Sequence, residues 1–103
     1  MAEPFSNGIS LTADTDTNVG QAGASGGFYI VHILNSSADS DASLQIGASG
    51  VSQTFEDGRR FVDDTIASKK EASFGPVVLT AGEYIVARSD IDSVSVMMMG
   101  YND

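Results

Sequence analysis

Apolar and polar residues alternate along most of this chain with the period of an extended strand. In FYIVHILN (28–35), Tyr29, Val31 and Ile33 fall on one side of the backbone and Phe28, Ile30, His32 and Leu34 on the other. The run is β-branched and aromatic and too short for a stable amphipathic helix, so it predicts a strand that is apolar on both faces. ASLQIG (42–47) sets Leu44 and Ile46 in phase, and VSQTF (51–55) does the same for Val51, Gln53 and Phe55. RRFVDDTIAS (59–68) fits a strand better than a single helical turn. ASFGPVVL (72–79) predicts a strand entered through Gly-Pro; Pro76 has no N–H to give a ladder, which places it at a sheet edge or a bulge. EYIVARS (83–89) and VSVMMMGY (94–101) predict two more strands.

Polar and small residues punctuate these runs. SSADSD, ASG, TAG and DIDS are turns, and EDG (56–58) is a strong hairpin signal because Asp-Gly tolerates the positive φ angles of a tight turn. No stretch carries the 3.6-residue period for three turns of helix. The pattern predicts an all-β fold, a single β-sandwich of about seven to eight short antiparallel strands of jelly-roll or Greek-key type. Strand spacing alone does not separate jelly-roll from immunoglobulin-like connectivity.

The first 26 residues read differently. MAEPFSNG holds one aromatic residue and one proline, ISL (9–11) is long enough only for a short strand, and TADTDTNVGQAGASGG is small, polar and Gly-rich. Residues 1–26 are therefore expected to form a loose N-terminal arm and a Gly/Ser/Asp-rich loop, and residues 27–103 the sandwich domain.

Composition narrows the function classes. A chain of 103 residues has room for one domain. It has no cysteine, which excludes disulfides and thiolate metal sites and leaves stability to packing and to oligomerisation. Fourteen acidic residues against five basic ones give a formal charge of −9, spread along the chain. That surface repels phosphates, so no nucleic-acid partner is expected. The longest apolar runs fall well short of the roughly 20 residues of a membrane span, so no membrane is expected either. MAEPFSNG lacks the basic region and apolar core of a signal peptide, and synthesis in a cytoplasm without a conventional export signal is the expectation.

Candidate chemistry is sparse. In TADTDTN (12–18), Asp14, Asp16 and Asn18 are spaced like the first ligands of a calcium loop. The glycine and the bidentate glutamate such a loop needs are replaced by Val19 and Ser25, so a solvated acidic loop is the better reading. GASGG (23–27) spells a hydrolase nucleophile elbow around Ser25, but a Gly-rich loop precedes it and a strand follows, where the elbow needs a strand and then a helix. His32 is the only histidine, with neither a nucleophile nor a metal partner evident, and reads as structural, inside the fold or at a subunit contact. Asp63 and Asp64 are neighbours on one strand, point to opposite faces and cannot flank one bond. Arg59-Arg60 and Lys69-Lys70 are small basic islands, suited to solubility or to an acidic partner surface. No catalytic residue, metal site or cofactor is expected.

VSVMMMGY carries a different signal. Val94, Val96 and Met98 share one face and suit a core, while Met97 and Met99 share the other with Ser95. Exposed methionines are soft, adaptable contact groups. Either the N-terminal segment covers that second face or another copy of the chain does.

FYIVHILNSSADSDASLQIGASG, taken with FGPVVLTAGEYIVARSDIDSVSVMMMGY, resembles the small β-sandwich structural proteins of tailed-phage virions, especially capsid decoration (cement) proteins. The resemblance rests on an apolar first strand ending in Asn-Ser, an L-x-I-G-A-S-G strand and turn, an L-x-A-G-E-Y-I hairpin entry and a closing V-S-V strand ending in Gly-Tyr, over about residues 28–101. Related-looking folds also serve in tails, necks and fibre tips, some as carbohydrate-binding modules. The resemblance implies a non-enzymatic virion protein on the outer capsid surface, made in the host cytoplasm, that forms homo-oligomers such as trimers and clamps subunits of the major capsid protein. On that reading Phe5 anchors the arm on a neighbour, and Met97 and Met99 form the contact face.

Overall fold

An extended segment with an apolar side needs partners twice over, for its backbone N–H and C=O groups and for its side chains. In the computed structural model of the chain, which describes residues 2–56 and 58–103, eight strands meet both needs. They are β1 (Glu3–Ser10), β2 (Thr17–Gln21), β3 (Gly27–Asn35), β4 (Ala42–Ser49), β5 (Arg60–Ile66), β6 (Glu71–Leu79), β7 (Tyr84–Ser89) and β8 (Val94–Asn102). The fold is all-β, and the described residues contain no helix. Two four-stranded sheets form, in the orders β1-β8-β3-β6 and β2-β7-β4-β5, with every pairing antiparallel. The first strand thus lies beside the last, the second beside the seventh, the third beside the sixth and the fourth beside the fifth.

The arrangement is sandwich-like, because both sheets turn one face into a single buried cluster. Tyr29, Val31, Ile33, Val94, Val96 and Met98 come from the first sheet, and Val19, Leu44, Ile46, Val62, Ile85 and Ala87 from the second. Leu44 with Ile46, and Val94, Val96 and Met98, share inward faces as their alternation predicts, whereas Val19 comes from a stretch expected to be loop. Asn35 fastens one sheet to the other where β3 ends. Fully buried, its amide nitrogen donates to the carbonyls of Ser40 and Ile66 at 2.9 and 3.0 Å, and its side-chain oxygen accepts the Ser37 N–H at 3.0 Å. All of its polar atoms are satisfied, which is what burial of an amide demands.

Pro76 sits where its missing N–H costs least. It lies on β6, an edge strand, and the register with β3 shifts between Tyr29 and Val31 beside it, so edge and bulge coincide.

Two expectations are corrected. The segment expected as a loose arm and loop, residues 1–26, is built into the two sheets where it is described, from Glu3 onward. β1 pairs with β8 along its whole length, from Glu3 opposite Asn102 to Ser10 opposite Ser95, and β2 pairs with β7. β1 is an edge strand that buries only one side, so Phe5 and Ile9 suffice to hold it to the core while the residues between them stay polar and small. Residues 51–55 are not a strand. Val51 is 56% exposed and Gln53 has φ +59°. The Ser49 hydroxyl donates to the Val51 carbonyl at 2.8 Å, and the Glu56 carboxylate accepts the Gly50 N–H at 2.7 Å. Such side-chain bonds give the backbone a local alternative to a ladder. Of the predicted Glu56-Asp57-Gly58 turn, Asp57 lies outside the described residues, and Gly58 has the positive φ, +82°, that such a turn uses.

Candidate functional site

The alternation that sends Tyr29, Val31 and Ile33 into the core sends Phe28, Ile30, His32 and Leu34 out of the opposite face of the first sheet. The register lines up their neighbours. Tyr101, Met99, Met97 and Ser95 of β8 stand opposite these four in turn, and Val78, Ser73 and Glu71 of β6 stand opposite Phe28, His32 and Leu34. Phe28, Ile30, Leu34, Val78, Met97 and Tyr101 are exposed, from 39% for Leu34 to 76% for Val78. The Phe28 and Tyr101 rings lie 5.7 Å apart, tilted by 38°.

Two hollows mark this face. The larger, of about 480 Å³, is lined by Pro4, Phe28, Ile30, Pro76, Met99 and Tyr101. The smaller, of about 360 Å³, is lined by Gly8, Ser10, His32, Leu34, Ser95 and Met97. Among the described outward strand positions Glu71 supplies the one carboxylate, and its oxygen lies 3.5 Å from His32 Nε2. The outer side of the second sheet is different in kind. Asp14, Ser43, Gln45, Arg88 and Asp90 border a hollow of about 100 Å³ there, and Asp63 stands opposite Gln45. A chain of net charge −9 thus keeps one broad face nearly free of charge.

Met97 and Met99 both point outward on this face, as the alternation of β8 predicts. Phe5 does not serve as an anchor on a free arm. Its ring packs edge-on against Tyr29, centroids 5.7 Å apart and planes at 74°, and so fixes β1 to the core of its own chain. Its phase along the strand, shared with Ile9, is the physical reason. Phe28, Ile30, Val78 and Tyr101 widen this face beyond the two methionines; for Phe28 and Ile30 the doubly apolar pattern of FYIVHIL is the signal in the sequence.

The other candidates separate. Arg88 reaches Asp16 at 3.1 Å and Asp14 at 3.9 Å, so a guanidinium already answers the two carboxylates of the calcium-like loop. Asn18 lies on β2, and no group of three or more His, Cys, Asp or Glu side chains is placed to hold a metal ion among the described residues. Ser25 is exposed in the turn between β2 and β3. Asp63 and Asp64 are adjacent on β5, opposite Gln45 and Leu44, and both are exposed. His32 holds Ser73 instead, with Nδ1 2.7 Å from the hydroxyl oxygen, giving a Ser73–His32–Glu71 string. No protein-family model matches the chain, and no characterised protein or solved structure is significantly similar to it.

Proposed function

We propose that this chain is a non-enzymatic structural protein of a tailed-phage virion, a capsid decoration protein on the outer shell that stabilises it by bridging subunits of the major capsid protein. The observation that carries this reading is the apolar, nearly uncharged outer face of the first sheet on an otherwise acidic chain. The largest apolar patch on a protein surface is often where it meets another macromolecule, the more so when the rest of the surface is strongly charged. The connectivity points the same way. We read the four pairings β1–β8, β2–β7, β3–β6 and β4–β5 as one long hairpin rolled up so that successive pairs fall in opposite sheets. On that reading the fold is a jelly roll, an architecture that capsid proteins share with lectins and cupins. The segments behind the resemblance to decoration proteins lie in β3, β4, β6, β7 and β8 and in the turns beside them.

The aromatic pair Phe28–Tyr101 favours one second reading, a carbohydrate-binding tail, neck or fibre-tip module, since sugar rings stack on such surfaces. The remaining lining of that hollow, Pro4, Phe5, Ile30, Pro76, Met99 and Gly100, gives hydroxyl groups little to bond with, so the first reading is preferred. Mass spectrometry of particles purified from the source tests both. The decoration reading expects the chain in copy number comparable to the shell subunit. A few copies per particle would transfer it to the tail, and absence from particles would end the virion reading.

A further inference from the structure

We infer that the outer face of the first sheet is covered by the same face of a second copy of this chain, related by a two-fold axis. The inference rests on the reading of that face as a contact surface and names its occupant. Charge decides first. Two copies carrying −9 each repel one another on most approaches. On the second sheet, Asp14, Asp63 and Asp90 would be brought against their counterparts. The outer face of the first sheet brings only Glu71, already beside His32, so it lets two identical acidic chains meet without opposing rows of carboxylates.

Area and shape agree. At the exposures given above, Phe28, Ile30, Leu34, Val78, Met97 and Tyr101 leave on the order of 500 Å² of side-chain surface open. That is more than half of the roughly 800 Å² per partner that a standard specific interface buries. Met99, Pro4, Pro76 and His32 line the same two hollows and enlarge the patch. Two sheets pack face to face about 10 Å apart, and one sheet covers the whole of one other. A two-fold axis through the apolar end sets Phe28, Ile30 and Val78 against the same residues of the other copy, as an isologous contact requires. The pair then presents its two acidic second sheets outward, so that contact with a shell falls to those sheets and the strand edges, each present twice at fixed separation.

The test is the mass of the full chain in solution, by light scattering or sedimentation at about 1–100 µM. Twice the 10.7 kDa of one chain is expected. The variant Met97→Asp, Met99→Asp should fall to the single-chain mass with an unchanged circular dichroism spectrum. Because the chain has no cysteine, Ile30→Cys should cross-link to a dimer with a short bismaleimide, whereas Gln45→Cys, on the second sheet, should not. A single-chain mass for the natural sequence, a three-fold mass, or a folded double variant that still pairs would each overturn the inference. Failure here is distinct from failure of the virion reading. A monomer found abundantly on particles leaves that reading standing, and a face-paired dimer absent from particles removes it while the pairing survives.

Discussion

Glu83, at the entrance to β7, has a side chain only 12% exposed, with one carboxylate oxygen accepting the Thr80 N–H at 2.8 Å and the other the Arg59 guanidinium. Arg59 also reaches Glu56 at 3.4 Å, so this one carboxylate ties the loop after β4 to the turn before β7. The hydrogen bond from Arg59 is the main reason its pKa falls to about 2, with burial opposing it and the Thr80 bond assisting. The sign follows from linkage. A carboxyl whose folded pKa lies below its unfolded value stabilises the fold above about pH 4.5 and loses that contribution as pH falls toward 2. Arg59 is itself 36% exposed, and solvent screening reduces the full shift to about 1 kcal/mol of stability. Glu83→Gln keeps an acceptor for Thr80 but removes the charge. Urea denaturation should show the natural chain about 1 kcal/mol more stable than the variant at pH 7, with the gap closing between about pH 4.5 and 2. A gap that stays constant over that range would mean that packing, not charge, holds Glu83.

At the scale of elements, β1 is the informative strand. A loose arm could be removed without effect, whereas an edge strand could not. Deleting the first ten residues strips the whole β1 ladder from β8 and uncovers Tyr29 where Phe5 packs on it. Thermal denaturation should show the truncated chain losing cooperative unfolding or melting at least 10 °C lower, with aggregation through the bared edge of β8. An unchanged melting temperature would restore the arm. β3 to β8 were legible in the chain because each sets apolar residues in phase toward the core, so that Tyr29, Val31 and Ile33, or Val94, Val96 and Met98, advertise a period of two. β1 and β2 bury too little to leave that mark. β1 needs only Phe5 and Ile9, and β2 is five residues long with Val19 and Gly20 as its buried pair. The opposite error at 51–55 has the same root. Val51, Gln53 and Phe55 alternate, but Ser49 and Glu56 bond the backbone locally, and single-face alternation carries no information about those bonds. The methionine face was readable from Ser95, Met97 and Met99. Its true breadth depends on β3 and β6 lying beside β8, a matter of register that one strand's pattern cannot contain.

For the molecule as a whole, topology and charge pull in different directions, and salt separates them. Pairing the first strand with the last closes the fold into one body, yet it also gathers a net charge of −9 into a core-sharing unit of about 13 Å radius of gyration. Bringing two such bodies together doubles the charge, and the screening length falls from about 30 Å at 0.01 M salt to about 10 Å at 0.1 M. If the apolar face of the first sheet holds the pair, salt weakens only the repulsion, because the contact itself has few charges to screen. Pairing measured by sedimentation should therefore tighten by about three- to ten-fold between 0.01 M and 0.3 M sodium chloride. An interface built from ion pairs, for instance Lys69 and Lys70 of one copy against Asp63 and Asp64 of another, would loosen over the same range. Dissociation in salt would move the contact away from Phe28, Ile30 and Met97 to the charged strand edges, whereas tightening leaves the uncharged face as the surface where the molecule can meet a partner as acidic as itself.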